Sequence, residues 1–235
     1  MHVSFQSAWC RRIVIFAAMF AVLTAFAKDP ALNYLKAGKP DADSLLPPPP
    51  LPGSAEALAD LNEVRSVYHA ASNNDVQAAY AEKHFSVFSF SAVVGPFFVP
   101  EALPKTAAFF AKVQSDAAKV TDVGKDFFKR PRPYTTDPNL SNCKLETSFS
   151  YPSGHATETM VIALVLADLL PGQREPILAQ ARSMGWHRVQ IARHYPTDIF
   201  AGRTLALAIV KQFKKSDDYQ QDFESVKAEL ASVQK

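Results

Sequence analysis

Cysteine is nearly absent from this chain: there are two in 235 residues, Cys10 and Cys143. Cys10 falls in a stretch that reads as a removable leader, so the processed chain keeps Cys143 alone and cannot form an intramolecular disulfide. An isolated thiol in an oxidising compartment is either buried or a candidate for intermolecular pairing. Charge of one sign is also lacking. The two leader arginines account for the whole excess of 25 basic over 23 acidic residues, and a neutral processed chain gives no compositional argument for nucleic-acid binding. Long apolar runs are missing too. Ile13 to Phe26 is shorter than the ~20 residues a membrane span needs, and Val161 to Leu170 stops at Pro171-Gly172, as a buried core helix would. The six histidines show no His-x-x-His or His-Glu-x-x-His spacing, which removes the usual signal for a metal. No window keeps strand-like alternation and no internal repeat is present, so the expected fold class is all-α.

Residues 1–27 carry the marks of a signal peptide: Arg11-Arg12, an apolar stretch, and Ala25-Phe26-Ala27 as a cleavage site. Residues 28–53 form a proline-rich arm with Pro47 to Pro50 consecutive, expected to be extended and packed on the domain or on a partner subunit. Residues 54–235 make one compact helical domain. Leu58, Leu61, Val64 and Tyr68 recur at the spacing of one helix face, and the Ser72-Asn73-Asn74 cluster interrupts before a restart. Phe85 to Phe98 and Leu103 to Phe128 are expected as central helices. Helical patterns resume at Ser153 to Leu170, Arg174 to Ile191, Pro196 to Phe213 and Ser216 to Val233. Arg130 to Tyr151, with three prolines, is expected as a long functional loop.

Three constellations could carry chemistry. Lys125 and Arg132-Pro133 flank a basic turn in which prolines restrict the backbone, and a rigid arginine suits bidentate phosphate binding. The same residues alone also read as a solvated surface turn. Pro152-Ser153-Gly154-His155 precedes an apolar helix. It reads either as an ordinary capped start or as an anion site, with N–H groups of Ser153 and Gly154 pointing outward and His155 at its edge. Arg188 and His194 would project about 120° apart on one helix, so a break between them is expected, with Pro196 in the first turn of the next helix. Asp198 can then reach back to a ring nitrogen of His194 and fix its tautomer, although a surface His–Asp pair would look the same.

Taken in order, Lys-x6-Arg-Pro, Pro-Ser-Gly-His and Arg-x5-His-x3-Asp resemble the three-part signature of the type 2 phosphatidic acid phosphatase superfamily, with its vanadium haloperoxidase-like fold. The match is nearest to the class A bacterial non-specific acid phosphatases. Leu45 to Pro50 looks like that family's N-terminal arm, and Ser150-Tyr151 precedes Pro-Ser-Gly-His as it does there. The resemblance implies metal-independent hydrolysis of small phosphate monoesters through a phosphohistidine, with room for transfer to other alcohols, no cofactor, and a periplasmic or secreted location. It implies that Lys125, Arg132 and Arg188 grip phosphate, with Ser153 and Gly154 adding donors. His194 would be the nucleophile, His155 the general acid and Asp198 the residue that orients His194. The family has Ser where this chain has His187, which is expected to donate to the same phosphate oxygen. The arm, the last helix and Cys143 suggest a homo-oligomer, and no integral membrane association is expected. A vanadium-dependent haloperoxidase, a lipid phosphate phosphatase and a non-catalytic phosphate-binding domain are the alternatives.

Overall fold

Gly154–Leu169 is apolar around its whole circumference, a pattern that makes a stable helix only if every face is covered. The computed structural model, which describes residues 31–140 and 145–233, surrounds that helix on all sides. The expected leader and Cys143 lie outside the described residues.

In chain order the helices are α1 (Ala42–Leu45), α2 (Ala55–Ala70), α3 (Asn73–Ala81), α4 (Ser91–Val94), α5 (Pro104–Phe128), α6 (Pro133–Thr136), α7 (Gly154–Leu169), α8 (Arg174–Gln190), α9 (Pro196–Phe213) and α10 (Asp217–Val233). Three 3₁₀ turns, at Val87–Phe90, Pro138–Leu140 and Pro171–Gln173, link them. Among the described residues there is no strand, so the all-α expectation holds. Among them, too, no helix is long and apolar enough to cross a membrane. Helix α7 packs against α5, α8 and α9, α10 covers α5, and α2 and α3 cover α8. Val161, Ile162, Val165 and Leu166 of α7 are fully buried, and each such side chain contributes about 1.5–3 kcal/mol.

Two local readings need correction. Phe85 to Phe98 is not a central helix: it breaks into the turn Val87–Phe90 and the single-turn α4. Ser86 and Ser89 cap each other reciprocally, and Gly95 has φ 128°, so the backbone is punctuated at both ends while Phe90 and Phe98 still reach the core. In α2 the inward stripe is Asp60, Leu61 and Val64, and Leu58 is exposed. The carboxylate displaces the leucine from the packed face because it has a buried partner, described below.

The arm packs on its own chain. Buried Asp116 of α5 accepts the backbone N–H groups of Asn33, Tyr34 and Leu35 at 2.8, 2.8 and 3.2 Å. The Tyr34 ring then meets Phe213 and Tyr219 edge-on, and the Tyr151 hydroxyl donates to the Pro47 carbonyl at 2.6 Å. The arm contains the turn α1 and is not extended throughout.

Candidate active site

The ends of α5, α7, α8 and α9 meet at one place. At the start of α7, Ser153 is the N-cap: its hydroxyl accepts the Ala156 N–H at 3.4 Å, and its own N–H donates to the Asp198 carbonyl at 3.1 Å. That second bond uses one of the two backbone donors expected to serve an anion and leaves Gly154, itself buried, as the other. Gly202 of α9 makes the approach possible, because a Cβ there would stand 2.8 Å from the Ser153 carbonyl oxygen. Gly154 is needed for a different reason, as a Cβ on it would lie 3.3 Å from Lys125 Nζ.

Helix α8 ends at Gln190, and Ala192 turns into the left-handed region at φ 53°. The N–H groups of Arg193 and His194 then both return to the Arg188 carbonyl, at 2.8 and 3.3 Å. This is the break that the Arg188–His194 spacing requires. Pro196 opens α9, and Asp198 accepts the Tyr195 N–H at 2.8 Å, closing the first turn.

The environment fixes the tautomer of His194. Arg132 Nη1, which can only donate, lies 3.2 Å from Nε2, so Nε2 presents its lone pair. Nδ1 faces Asp198 Oδ2 at 3.4 Å, and the Ser150 hydroxyl donates to that same oxygen at 2.5 Å. The other oxygen, Oδ1, receives Arg130 Nη1 at 2.6 Å, and Arg130 Nη2 reaches Asp60 Oδ2 at 2.7 Å. The Arg130 guanidinium also lies 3.8 Å from the centre of the Tyr195 ring. Burial raises the Asp198 carboxyl above its ordinary range, against the pull of Arg130, Ser150 and the Tyr195 N–H. Burial first, then the charges of Arg132 and Lys125, hold His194 well below the usual imidazole range, so the ring is neutral.

Of the expected cations, Arg132 and Lys125 act on this histidine and Arg188 acts on His155. Arg132 is locked from two sides: Nε donates to the Ser148 carbonyl at 2.9 Å and Nη2 to Ser148 Oγ at 3.0 Å in its own loop, and Nη1 donates to the Arg193 carbonyl after α8 at 3.0 Å. Arg188 donates through Nη2 to the Ala79 carbonyl, and its buried Nε has no hydrogen-bond partner. Lys125 is mostly buried, with its ammonium 3.5 Å from Asp122. His155 Nε2 lies 3.2 Å from the Glu82 carbonyl, and since a carbonyl only accepts, that nitrogen carries the proton. Burial, with Arg188, Lys125 and Arg132 adding to it, pushes His155 down to about 3.

His187 stands apart from the other expected site residues. Its Nδ1 lies 2.7 Å from Glu82 Oε2 and its Nε2 lies 3.1 Å from Ser183 Oγ, which leaves neither nitrogen free for a substrate oxygen. Glu82 also faces Arg188 Nη2 at 3.6 Å. The expected direct donation by His187 is thus replaced by a contact behind the arginine.

Several site residues escaped the sequence reading. Arg130 passed for part of a solvated turn, yet it is buried between two carboxylates. The available signal was Asp60, an acid on an otherwise apolar helical stripe. Ser150, Glu82, Glu146, Arg193 and Glu158 also line or support the cluster. Burial raises Glu158 to about 7, opposed by its hydrogen bond from Gln114 and by Lys125. Loop residues such as Glu146 give no periodic signal.

Residues 106–221 match the PAP2 superfamily. The chain is 28% identical over 222 residues to a non-specific acid phosphatase of Providencia stuartii, an alignment covering 88% of each chain. It is 32% identical over 116 residues to an acid phosphatase of Zymomonas mobilis subsp. mobilis, covering 46% of this chain and 44% of that one. Among solved structures, a transmembrane PAP2 type phosphatidylglycerolphosphate phosphatase from Bacillus subtilis matches with a TM-score of 0.48 and 19% identity, over 74% of this chain and 89% of that one.

Proposed function

The chain belongs to the PAP2 superfamily by its domain over residues 106–221, and from that premise we propose that it is a metal-independent acid phosphatase. It hydrolyses small phosphate monoesters through a phosphohistidine on His194. The observation that carries this reading is the setting of His194, with Nε2 3.2 Å from Arg132 Nη1 and Nδ1 backed by Asp198. A nucleophile so oriented needs no metal to activate it, provided that fixed cations neutralise the transferring group. Arg132, Arg188 and Lys125 supply three, and the unpartnered Arg188 Nε has a donor to spare.

In the first step the His194 Nε2 lone pair attacks phosphorus and the bond to the ester oxygen breaks. That oxygen takes a proton from His155 and leaves as the alcohol. In the second step water attacks phosphorus and gives a proton to His155. The P–N bond breaks, its electron pair returns to Nε2, and inorganic phosphate departs. Asp198 stabilises the positive charge that builds on His194 when the bond forms. His155 is neutral in the resting site, so the transferable proton arrives with the substrate: a phosphate anion beside the ring favours its charged form. His187 acts through Glu82 on Arg188. The Providencia and Zymomonas relatives, both acid phosphatases by name, support phosphatase activity, and the leader-like residues 1–27 support a periplasmic or secreted setting.

The test is p-nitrophenyl phosphate hydrolysis between pH 4 and 8 with excess chelator, beside His194→Ala. Activity that resists chelator and disappears in the variant agrees with the reading. Loss to chelator, or survival in the variant, refutes it.

A further inference from the structure

Arg132 is held by Ser148 and Phe149 of its own loop and by the Arg193 carbonyl, and a carboxylate of the same loop also reaches it. Glu146 Oε2 is 2.6 Å from Arg132 Nη2. Its other oxygen, Oε1, is 3.2 Å from Nη1 of Arg193, and that Nη1 is buried with no hydrogen bond of its own. The Glu146 backbone is pinned, since its N–H donates to the Tyr134 hydroxyl at 3.0 Å. The same Tyr134 ring underlies Arg193 at 5.8 Å. One carboxylate therefore bridges two guanidiniums, as two oxygens of a phosphoryl group would.

Resting on the phosphatase reading above, we infer that Glu146 competes with substrate for Arg132, and that Arg193 is the positioning residue that takes up the carboxylate when a phosphate arrives. Arg193 fills an unspecified position of the third motif, directly before His194, and has no other acidic partner among the described contacts. Without it, a displaced Glu146 would stand uncompensated beside the incoming anion. Burial opposes ionisation of Glu146, but Arg132, Arg193 and Lys125 outweigh it and lower its carboxyl below the ordinary range. The consequence is discrimination by charge. A phosphate dianion outbids one carboxylate, whereas a monoanion gains little by the exchange, and product phosphate leaves more readily.

The experiment is calorimetric titration of inorganic phosphate into the chain from Lys28 onward at one fixed pH, for the wild type, Glu146→Gln, Arg193→Gln and the double variant. Glu146→Gln should tighten phosphate binding about 2- to 5-fold, the scale of a partly exposed ion pair. Arg193→Gln should weaken it by a similar factor, because Glu146 is then left entirely on Arg132. In the double variant binding should return to the Glu146→Gln value. A Glu146→Gln protein that binds phosphate no tighter overturns the inference. So does a double variant that keeps the full Arg193→Gln loss, for then Arg193 grips phosphate itself. Glu146→Ala, with a melting temperature for each protein, guards against a folding defect. A wild type that binds no phosphate at all would instead overturn the phosphatase reading.

Discussion

Arg130→Ala removes the cation that two buried carboxylates share, and its cost can be worked from the geometry. Arg130 is 7% exposed; it pairs with Asp198 at 2.6 Å and Asp60 at 2.7 Å, and it donates to Thr197 Oγ1 at 2.7 Å. Deleting one partner of a buried ion pair costs about 3–5 kcal/mol, because the remaining charge is left without compensation. Two carboxylates lose their partner here, which places the expected loss near the top of that range, about 4–5 kcal/mol at pH 7. Against a total stability of about 5–15 kcal/mol the variant should fold but with little margin. The sign of the pH dependence follows from Asp198. Its carboxyl is already raised by burial, and loss of Arg130 raises it further. A carboxyl raised in the native state keeps a proton that the unfolded chain releases, so its stabilising contribution is lost as pH rises through the native value. The deficit should therefore shrink between pH 7 and pH 5. Urea unfolding at the two pH values measures it, with Arg130→Lys recovering part of the loss and the acid limb of phosphatase activity moving to higher pH in Arg130→Ala. A deficit below about 1 kcal/mol, the scale of an exposed pair, or one that does not change with pH would refute the reasoning.

Other parts of the molecule give sharper local tests. Gly202→Ala should destabilise by about 1–3 kcal/mol and lower activity, because the new methyl meets the Ser153 carbonyl at 2.8 Å; an unchanged melting temperature would contradict it. Glu158, raised to about 7, should make wild-type stability fall as pH rises from the ordinary carboxyl range toward 7, and Glu158→Gln should flatten that slope in urea unfolding at pH 5 and pH 8. Equal slopes in the two proteins would show that Glu158 is not the titrating group. Phosphate binding near pH 6 should take up a proton, since His155 is pushed down to about 3 in the empty site. Titration in buffers of different ionisation enthalpy should detect the uptake, and His155→Ala should abolish it.

How much could be read from the sequence depended on how far apart the partners lie along the chain. The breaks that bring Lys125, Arg132, His155, Arg188, His194 and Asp198 to one place are marked locally, by Ser153 as a cap, Pro196 at a helix start and the Arg188–His194 spacing. The Arg130–Asp60 pair had only an indirect mark, the acid on the apolar stripe of α2, because its two halves come from α2 and the loop after α5 and only tertiary packing joins them. Hydrophobicity misled at Phe85 to Phe98. Its aromatic residues are buried by neighbouring helices, but Ser86, Ser89, Gly95 and Pro96 decide the backbone and prevent a continuous helix. His187 shows a further limit: identity at a motif position does not tell which way a ring faces, and Glu82 arrives from α3 to claim it.

The central claim, covalent transfer to His194, is tested most directly by rapid acid-free quenching of the enzyme during turnover of a ³²P-labelled phosphate monoester, followed by peptide mapping. The account predicts a base-stable, acid-labile phosphoramidate on the peptide that contains His194, absent from His194→Ala and, with a p-nitrophenyl ester whose leaving group needs no proton, accumulating in His155→Ala because water then lacks its base. Label on another residue, or none trapped while product forms at the normal rate, would contradict it.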